Sequence, residues 1–203
     1  MLLSIRVEKL GAQLGGLGAI VDRYERGDPD FPEAAIVWLR AAEHLLQNLR
    51  AREAAELAAL RGAITRAGER VGLDDRESAP KRGLVRRARA VAAAESLERA
   101  GALLQQLAAE AESRLRHFET KLTEALTAAV LVGLVALPTD PSRERWLSQV
   151  WQRLAGHQAT RPTAVYLAAA LRAPDRLYVL DRVLSRLCEA EFAVLNPPHE
   201  RSP

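Results

Sequence analysis

The chain has 203 residues, a formal net charge of +3 and only 4% aromatic residues. This length allows one domain or two small ones and is sufficient for a hydrophobic core. The apolar residues are mostly leucine and alanine. Because alanine is the strongest helix former and β-branched residues are few, the composition favours an all-α protein. Glycine and proline are too sparse for a disordered chain.

The basic residues and the single cysteine indicate a cellular setting. Arginines outnumber lysines by 26 to three, as expected from a GC-rich bacterial genome. Cys188 is the only cysteine, which excludes an intrachain disulfide and fits a reducing compartment. The first ten residues lack the apolar run of a signal peptide. We therefore expect a cytoplasmic bacterial protein.

Four glycines lie close together near the start of the chain, at positions 11, 15, 16 and 18. The apolar residues around them follow one another at alternating steps of four and three: Leu3, Val7, Leu10, Leu14, Leu17, Val21 and Tyr24. Such a heptad seam predicts a helix over about residues 2–26, whereas a phosphate-binding loop would not keep the repeat. A helix that is kinked at the glycines is the alternative.

Three of these glycines predict an association surface. Gly11, Gly15 and Gly18 lie on one side of the predicted helix, beside the leucine seam. Residues without side chains let another helix approach closely. We therefore expect association with a partner protein or with a second copy of the chain. The residues expected at this interface are Leu10, Gly11, Leu14, Gly15, Leu17 and Gly18.

Two longer helices follow in the sequence. The first is predicted over about residues 31–71, with Asp30 as its N-cap and Glu33 completing a capping box. The second is predicted over about residues 83–137, along a seam that again steps by four and three between residues 97 and 122. The intervening segment GLDDRESAPKRG predicts the turn between them.

These lengths predict a long antiparallel, coiled-coil-like bundle over residues 1–137. Helices of about 25, 40 and 55 residues cannot cover one another fully. The end of the second and the start of the third should therefore project as a two-helix arm, with its tip at about residues 73–82. A small helical domain is expected over residues 138–196, with helices at about 141–155, 163–172 and 174–194. Residues 197–203 are expected to form a loose tail.

The most apolar segment spans residues 125–137. Its 13 residues fall well short of the roughly 20 that a membrane-spanning helix needs, so we expect no membrane span. A helix buried in the protein core is the favoured interpretation of this segment, and a hairpin inserted into a membrane is the alternative.

Positive charge is concentrated at the predicted tip of the arm. Residues 61–90 contain nine basic and four acidic residues, which gives this segment a net charge of +5. Such clusters contact phosphate groups or acidic protein surfaces, and ion pairing with neighbouring helices is the alternative. No aromatic residue lies between Trp38 and Phe118, so any nucleic-acid contact is expected at the backbone rather than at the bases. The expected contact residues are Lys81, Arg82, Arg86, Arg87 and Arg89.

Patterns typical of catalytic and metal sites are absent from the sequence. The four histidines stand in no metal-ligand spacing, and a lone cysteine excludes the zinc patterns. We therefore expect no enzymatic activity and no cofactor. The favoured hypothesis is a non-enzymatic structural or adaptor subunit of a larger bacterial protein assembly, acting through helix–helix contacts. The alternative is a sequence-independent nucleic-acid-binding subunit that uses the basic arm.

Overall fold

The computed structural model describes residues 2–74, 82–135 and 143–195. All regular secondary structure in these ranges is α-helical, which confirms the all-α prediction. The helices are α1 (Leu3–Gly15), α2 (Leu17–Glu25), α3 (Phe31–Asn48), α4 (Ala54–Asp74), α5 (Arg82–Leu131), α6 (Arg143–Gly156), α7 (Arg161–Ala170) and α8 (Ala173–Leu195).

The contacts divide the chain into two compact units. Unit 1 contains Ile5–Ala111, and unit 2 contains Leu2–Ser4 together with the chain from Glu112 onward. The division therefore lies within the 50-residue helix α5, whereas the sequence analysis placed a domain boundary after residue 137.

The predicted first helix is interrupted at Gly16, so that α1 and α2 are separate elements. The indole Nε1 of Trp38 donates a hydrogen bond to the backbone oxygen of Gln13, at 3.1 Å. In an uninterrupted helix this oxygen would accept from the N–H of Leu17. Trp38 therefore replaces one bond of the helix ladder, and the predicted continuous helix is interrupted at the glycines.

The predicted helix over residues 31–71 is wrong, because the chain turns between α3 and α4. The N–H of Arg50 bonds to the oxygen of Gln47 and the N–H of Ala51 bonds to that of Leu46, both at 2.9 Å, in the pattern of a Schellman cap. Arg50 has a positive φ of 54°. Helix α4 then returns along α3, and Glu43 on α3 contacts Arg61 on α4, with Oε2 and Nε 3.1 Å apart.

Replacing Arg50 with glycine is expected to raise the free energy of unfolding by about 1 kcal/mol. The left-handed conformation strains a residue that has a Cβ but not glycine, and Arg50 is exposed and makes no ion pair with the described residues. Equilibrium denaturation in urea measures the change. Arg52→Gly in the same connection is the control. It should not stabilise the protein, since Arg52 does not have a positive φ. A loss of stability in Arg50→Gly would contradict the expectation.

The core of unit 1 is built from one face each of α3, α4 and α5. Its fully buried side chains include Leu39, Leu46, Leu57, Ile64 and Leu104. The hydroxyl of Ser96 on α5 donates to the backbone oxygen of Leu60 on α4, at 3.2 Å, so the two helices are in contact at this level.

The arm was deduced from a 40-residue second helix, and that premise does not hold. Helices α3 and α4 lie side by side, and the first turn of α3 lies next to the beginning of α5. There Oε1 of Glu33 is 2.8 Å from Nη1 of Arg89. Glu33 therefore does not close the predicted capping box, and Asp30 makes no side-chain capping bond. Most of the predicted tip, including Lys81, lies outside the described residues.

Helix α5 agrees closely with the predicted third helix and continues through Gly101. It ends at Leu131, six residues before the predicted end, and Gly133 just beyond it has a φ of 67°. The N–H of Leu134 bonds to the oxygen of Ala129 at 2.8 Å, again as in a Schellman cap. Near this end Leu126 is fully buried, while Leu131 is 83% exposed. The apolar segment that begins at residue 125 therefore contributes only one of its sides to the core. None of the helices in the described ranges is long and apolar enough to cross a membrane.

Unit 2 packs α6, α7 and α8 with the last part of α5, close to the predicted helix positions. Asp175 lies in the first turn of α8, and its carboxylate accepts hydrogen bonds from the first residues of the chain. The N–H groups of Leu3 and Ser4 lie 2.9 and 3.1 Å from it, and the hydroxyl of Ser4 lies 2.7 Å from it. Asp175 therefore caps α1 and is only 3% exposed.

Candidate functional site

The glycines of α1 and α2 leave one side of these helices bare. Gly11, Gly15 and Gly18 are exposed, and a Cβ placed on any of them would meet no described atom within 4 Å beyond the adjoining residues and the backbone of its own helix. No charged residue occurs from Leu10 to Val21. We call this side, formed by Gly11, Gly15, Gly18 and Ala19, the glycine face.

The structure separates the two groups of residues that the sequence assigned to one interface. Leu10 is fully buried in unit 1, and Leu14 and Leu17 are partly buried against the same core. Close approach within unit 1 occurs at other glycines. The side chain of Leu17 reaches 3.0 Å from where a Cβ of Gly101 would be, and the ring of Trp38 lies 3.6 Å from that of Gly16.

An apolar groove runs between α2 and α5. Its volume is about 440 Å³, and Glu98 is the only charged residue in its lining. Val21 and Tyr24 remain 42% and 51% exposed there. The groove therefore offers open apolar surface, as contacts with a helix require. It is lined by Leu17, Val21, Tyr24, Phe31, Ala94, Leu97, Glu98, Gly101, Ala102 and Gln105.

A smaller recess of about 320 Å³ brings aromatic side chains to the basic start of α5. Tyr24 and Phe31, whose ring centroids are 5.0 Å apart, line it together with Arg86 and Arg87. The aromatic residues in this recess are distant from the arginines in the sequence, so the absence of aromatic residues between Trp38 and Phe118 did not predict their contact. Nothing in the local sequence signals a contact between residues some 60 positions apart.

Acidic residues of the α2–α3 connection lie close to the same recess. Asp28 accepts hydrogen bonds from the N–H of Asp30 at 2.9 Å and from Nε of Arg23 at 2.8 Å. The backbone bond from Asp30, with a smaller contribution from Arg23, lowers the pKa of the Asp28 carboxyl below its usual range, against the raising effect of burial. The hydrogen bonds of the ionised Asp28 carboxylate therefore stabilise the folded protein at pH values above the ordinary pKa of aspartate. This stabilisation is lost as the pH falls through the lowered pKa of Asp28.

The predicted basic residues differ in their surroundings. Arg82, Arg86 and Arg87 are exposed and make no ion pair with any residue that the structure describes, whereas Arg89 is occupied by Glu33. Asp28 also lines the recess next to Arg86 and Arg87. Three of the five predicted residues are therefore unpaired with respect to the described part of the chain, and acidic groups lie nearby.

The described residues contain no cluster of three or more potential metal-ligating side chains. His117 is 3.2 Å from the hydroxyl of Tyr166 in unit 2, and neither residue lines the groove. Comparison with protein-family models, curated proteins and solved structures found no match to this chain.

Proposed function

We propose that this protein is a non-enzymatic structural or adaptor subunit of a larger bacterial assembly, and that the glycine face receives a helix of a partner protein. The observation that carries the proposal is that Gly11, Gly15 and Gly18 face open space. A glycine inside a helix costs roughly 0.5–1 kcal/mol relative to alanine. These three glycines make no close helix–helix contact within unit 1 that would offset this cost. Their bare surface would instead accommodate a helix of another molecule.

The groove between α2 and α5 supports the same proposal. The exposed side chains of Val21 and Tyr24 in this groove add apolar surface to the same helical segment, which a partner protein could contact. The leucines of the seam keep α1 and α2 attached to the core of unit 1. In this proposal the heptad seam serves coiled-coil-like packing within the chain, and the glycines serve the partner.

Nucleic-acid binding through the basic start of α5 is the weaker proposal. Phosphate contacts need a concentration of free positive charge. In the described part of the chain Arg89 is paired with Glu33, and Asp28 lies beside Arg86 and Arg87. These carboxylates would also repel a phosphate backbone, so the surface favours a protein partner over a nucleic acid.

Site-specific photo-crosslinking in the native cell tests the proposal. A benzophenone amino acid would be placed at position 11, 15 or 18, where the open space accommodates it. Illumination is expected to give a discrete adduct, whose mass shows whether the partner is another protein or a second copy. Gly156 at the end of α6 is the matched control, because its Cβ would also meet nothing within 4 Å. Equal labelling at position 156 and at the glycine face would refute the proposal.

A further inference from the structure

A second unpartnered surface lies on α5, in the half that belongs to unit 1. Leu84 and Val91, seven residues apart, are 50% and 51% exposed, although large aliphatic side chains usually face the core. Small residues at positions 88 and 92 leave a shallow recess of about 540 Å³ around them. We call this surface the Val91 stripe: Leu84, Arg87, Ala88, Val91, Ala92 and Glu95.

The charges of the Val91 stripe are arranged symmetrically. Arg87 lies four residues before Val91 and Glu95 lies four residues after it, so both are about 6 Å from Val91 along the helix axis. Both are exposed, and neither makes an ion pair with a described residue. The stripe therefore presents an apolar centre with a positive end and a negative end.

We propose that the Val91 stripe pairs with the same stripe of a second copy, with the two α5 helices antiparallel and a two-fold axis at Val91. In this arrangement Val91 meets Val91 of the second copy. Arg87 of each copy lies at the level of Glu95 of the other, so the dimer contains two identical ion pairs related by the two-fold axis. Ala88 and Ala92 permit close approach of the helices.

The charges select this occupant and this orientation. A parallel pair would place Arg87 beside Arg87 and Glu95 beside Glu95, and like charges at that distance repel. A uniformly acidic partner would be repelled by Glu95, and so would a phosphate backbone. The self-complementary pattern is satisfied by a second copy in the antiparallel orientation. This inference uses a different surface from the glycine face and does not depend on it.

Charge reversal tests the pairing. In the full chain, Arg87→Glu or Glu95→Arg alone is expected to weaken dimerisation at least tenfold in sedimentation velocity, because each variant opposes like charges twice. An equimolar mixture of the two variants is expected to restore a heterodimer. In that heterodimer the glutamate introduced at position 87 faces the arginine introduced at position 95, and the unchanged Arg87 of one chain faces the unchanged Glu95 of the other. Arg114→Glu and Glu112→Arg, which are exposed positions elsewhere on α5, are the matched controls.

Cysteine crosslinking tests the orientation. With Cys188 replaced by serine, Val91→Cys is expected to form a disulfide dimer under mild oxidation. Ala102→Cys should not, because an antiparallel pair centred at Val91 separates the two copies of position 102 by about 33 Å along the helix axis. Crosslinking at both positions would indicate a parallel pair and overturn the proposal. A chain that is monomeric at all concentrations, or a mixture that fails to associate, would overturn it as well, and would leave the glycine face unaffected.

Discussion

Replacing both Arg182 and Arg186 with alanine is expected to lower the free energy of unfolding by about 3 kcal/mol. These arginines, both on α8, hold the carboxylate of Glu119 on α5, which is only 4% exposed. Arg186 donates to Oε2 at 2.7 Å, and Nε of Arg182 lies 3.0 Å from Oε1. Without them a buried negative charge has no opposing charge, and this desolvation is the main source of the loss.

A third substitution separates this explanation from a general weakening of α8. Adding Glu119→Leu to the double variant removes the buried charge and is expected to recover most of the lost stability. Urea denaturation followed by circular dichroism measures both variants. Arg143→Ala is the control. Its pair with Asp181 is exposed and is expected to contribute at most about 1 kcal/mol. If the triple variant were no more stable than the double variant, the buried charge would not be the cause.

Asp175→Ala is expected to lower the free energy of unfolding by about 2 kcal/mol. The first N–H groups of a helix have no acceptor within the helix, and Asp175 supplies acceptors for those of Leu3 and Ser4. Its side chain also accepts from the hydroxyl of Ser4. The variant therefore loses a charged cap and leaves the hydroxyl without this acceptor.

Hydrogen exchange locates the effect of Asp175. The amides of Leu3 and Ser4 are expected to exchange faster in Asp175→Ala, whereas those in the middle of α5 should change little. Asp175→Asn keeps an acceptor oxygen and should lose less stability than alanine. Asp181→Ala on the same helix is the control for removing an exposed carboxylate. Unchanged exchange at Leu3 and Ser4 would show that the cap contributes nothing in solution.

Local sequence signals predicted the helical class and the course of α5. The steps of four and three residues marked the course of α5, but the helix ends at Leu131 rather than at about residue 137, because glycine at position 133 adopts a positive φ. The turn after α3 was missed because it uses arginine at position 50, where glycine is the usual residue. A strained residue of this kind leaves no pattern in the sequence.

The parts of the site that escaped prediction depend on contacts between distant residues. The bond from Trp38 that ends α1 spans 25 positions, and the cap that Asp175 provides spans more than 170. The glycines themselves were found from their spacing. The burial of Leu10, by contrast, follows from its packing in unit 1, and a heptad seam looks the same whether its partner is in the chain or outside it.

The glycine face also bears on how long the protein would survive in a cell without its proposed partner. Three glycines within eight residues weaken α1 and α2, so this segment is expected to open locally more often than the core helices, and proteases cut opened segments. A partner at a hundredfold excess over its Kd would stabilise the bound form by about 2.7 kcal/mol. Under the proposed function, copies without a partner would then be degraded first, and the abundance of the protein would follow the abundance of its proposed assembly.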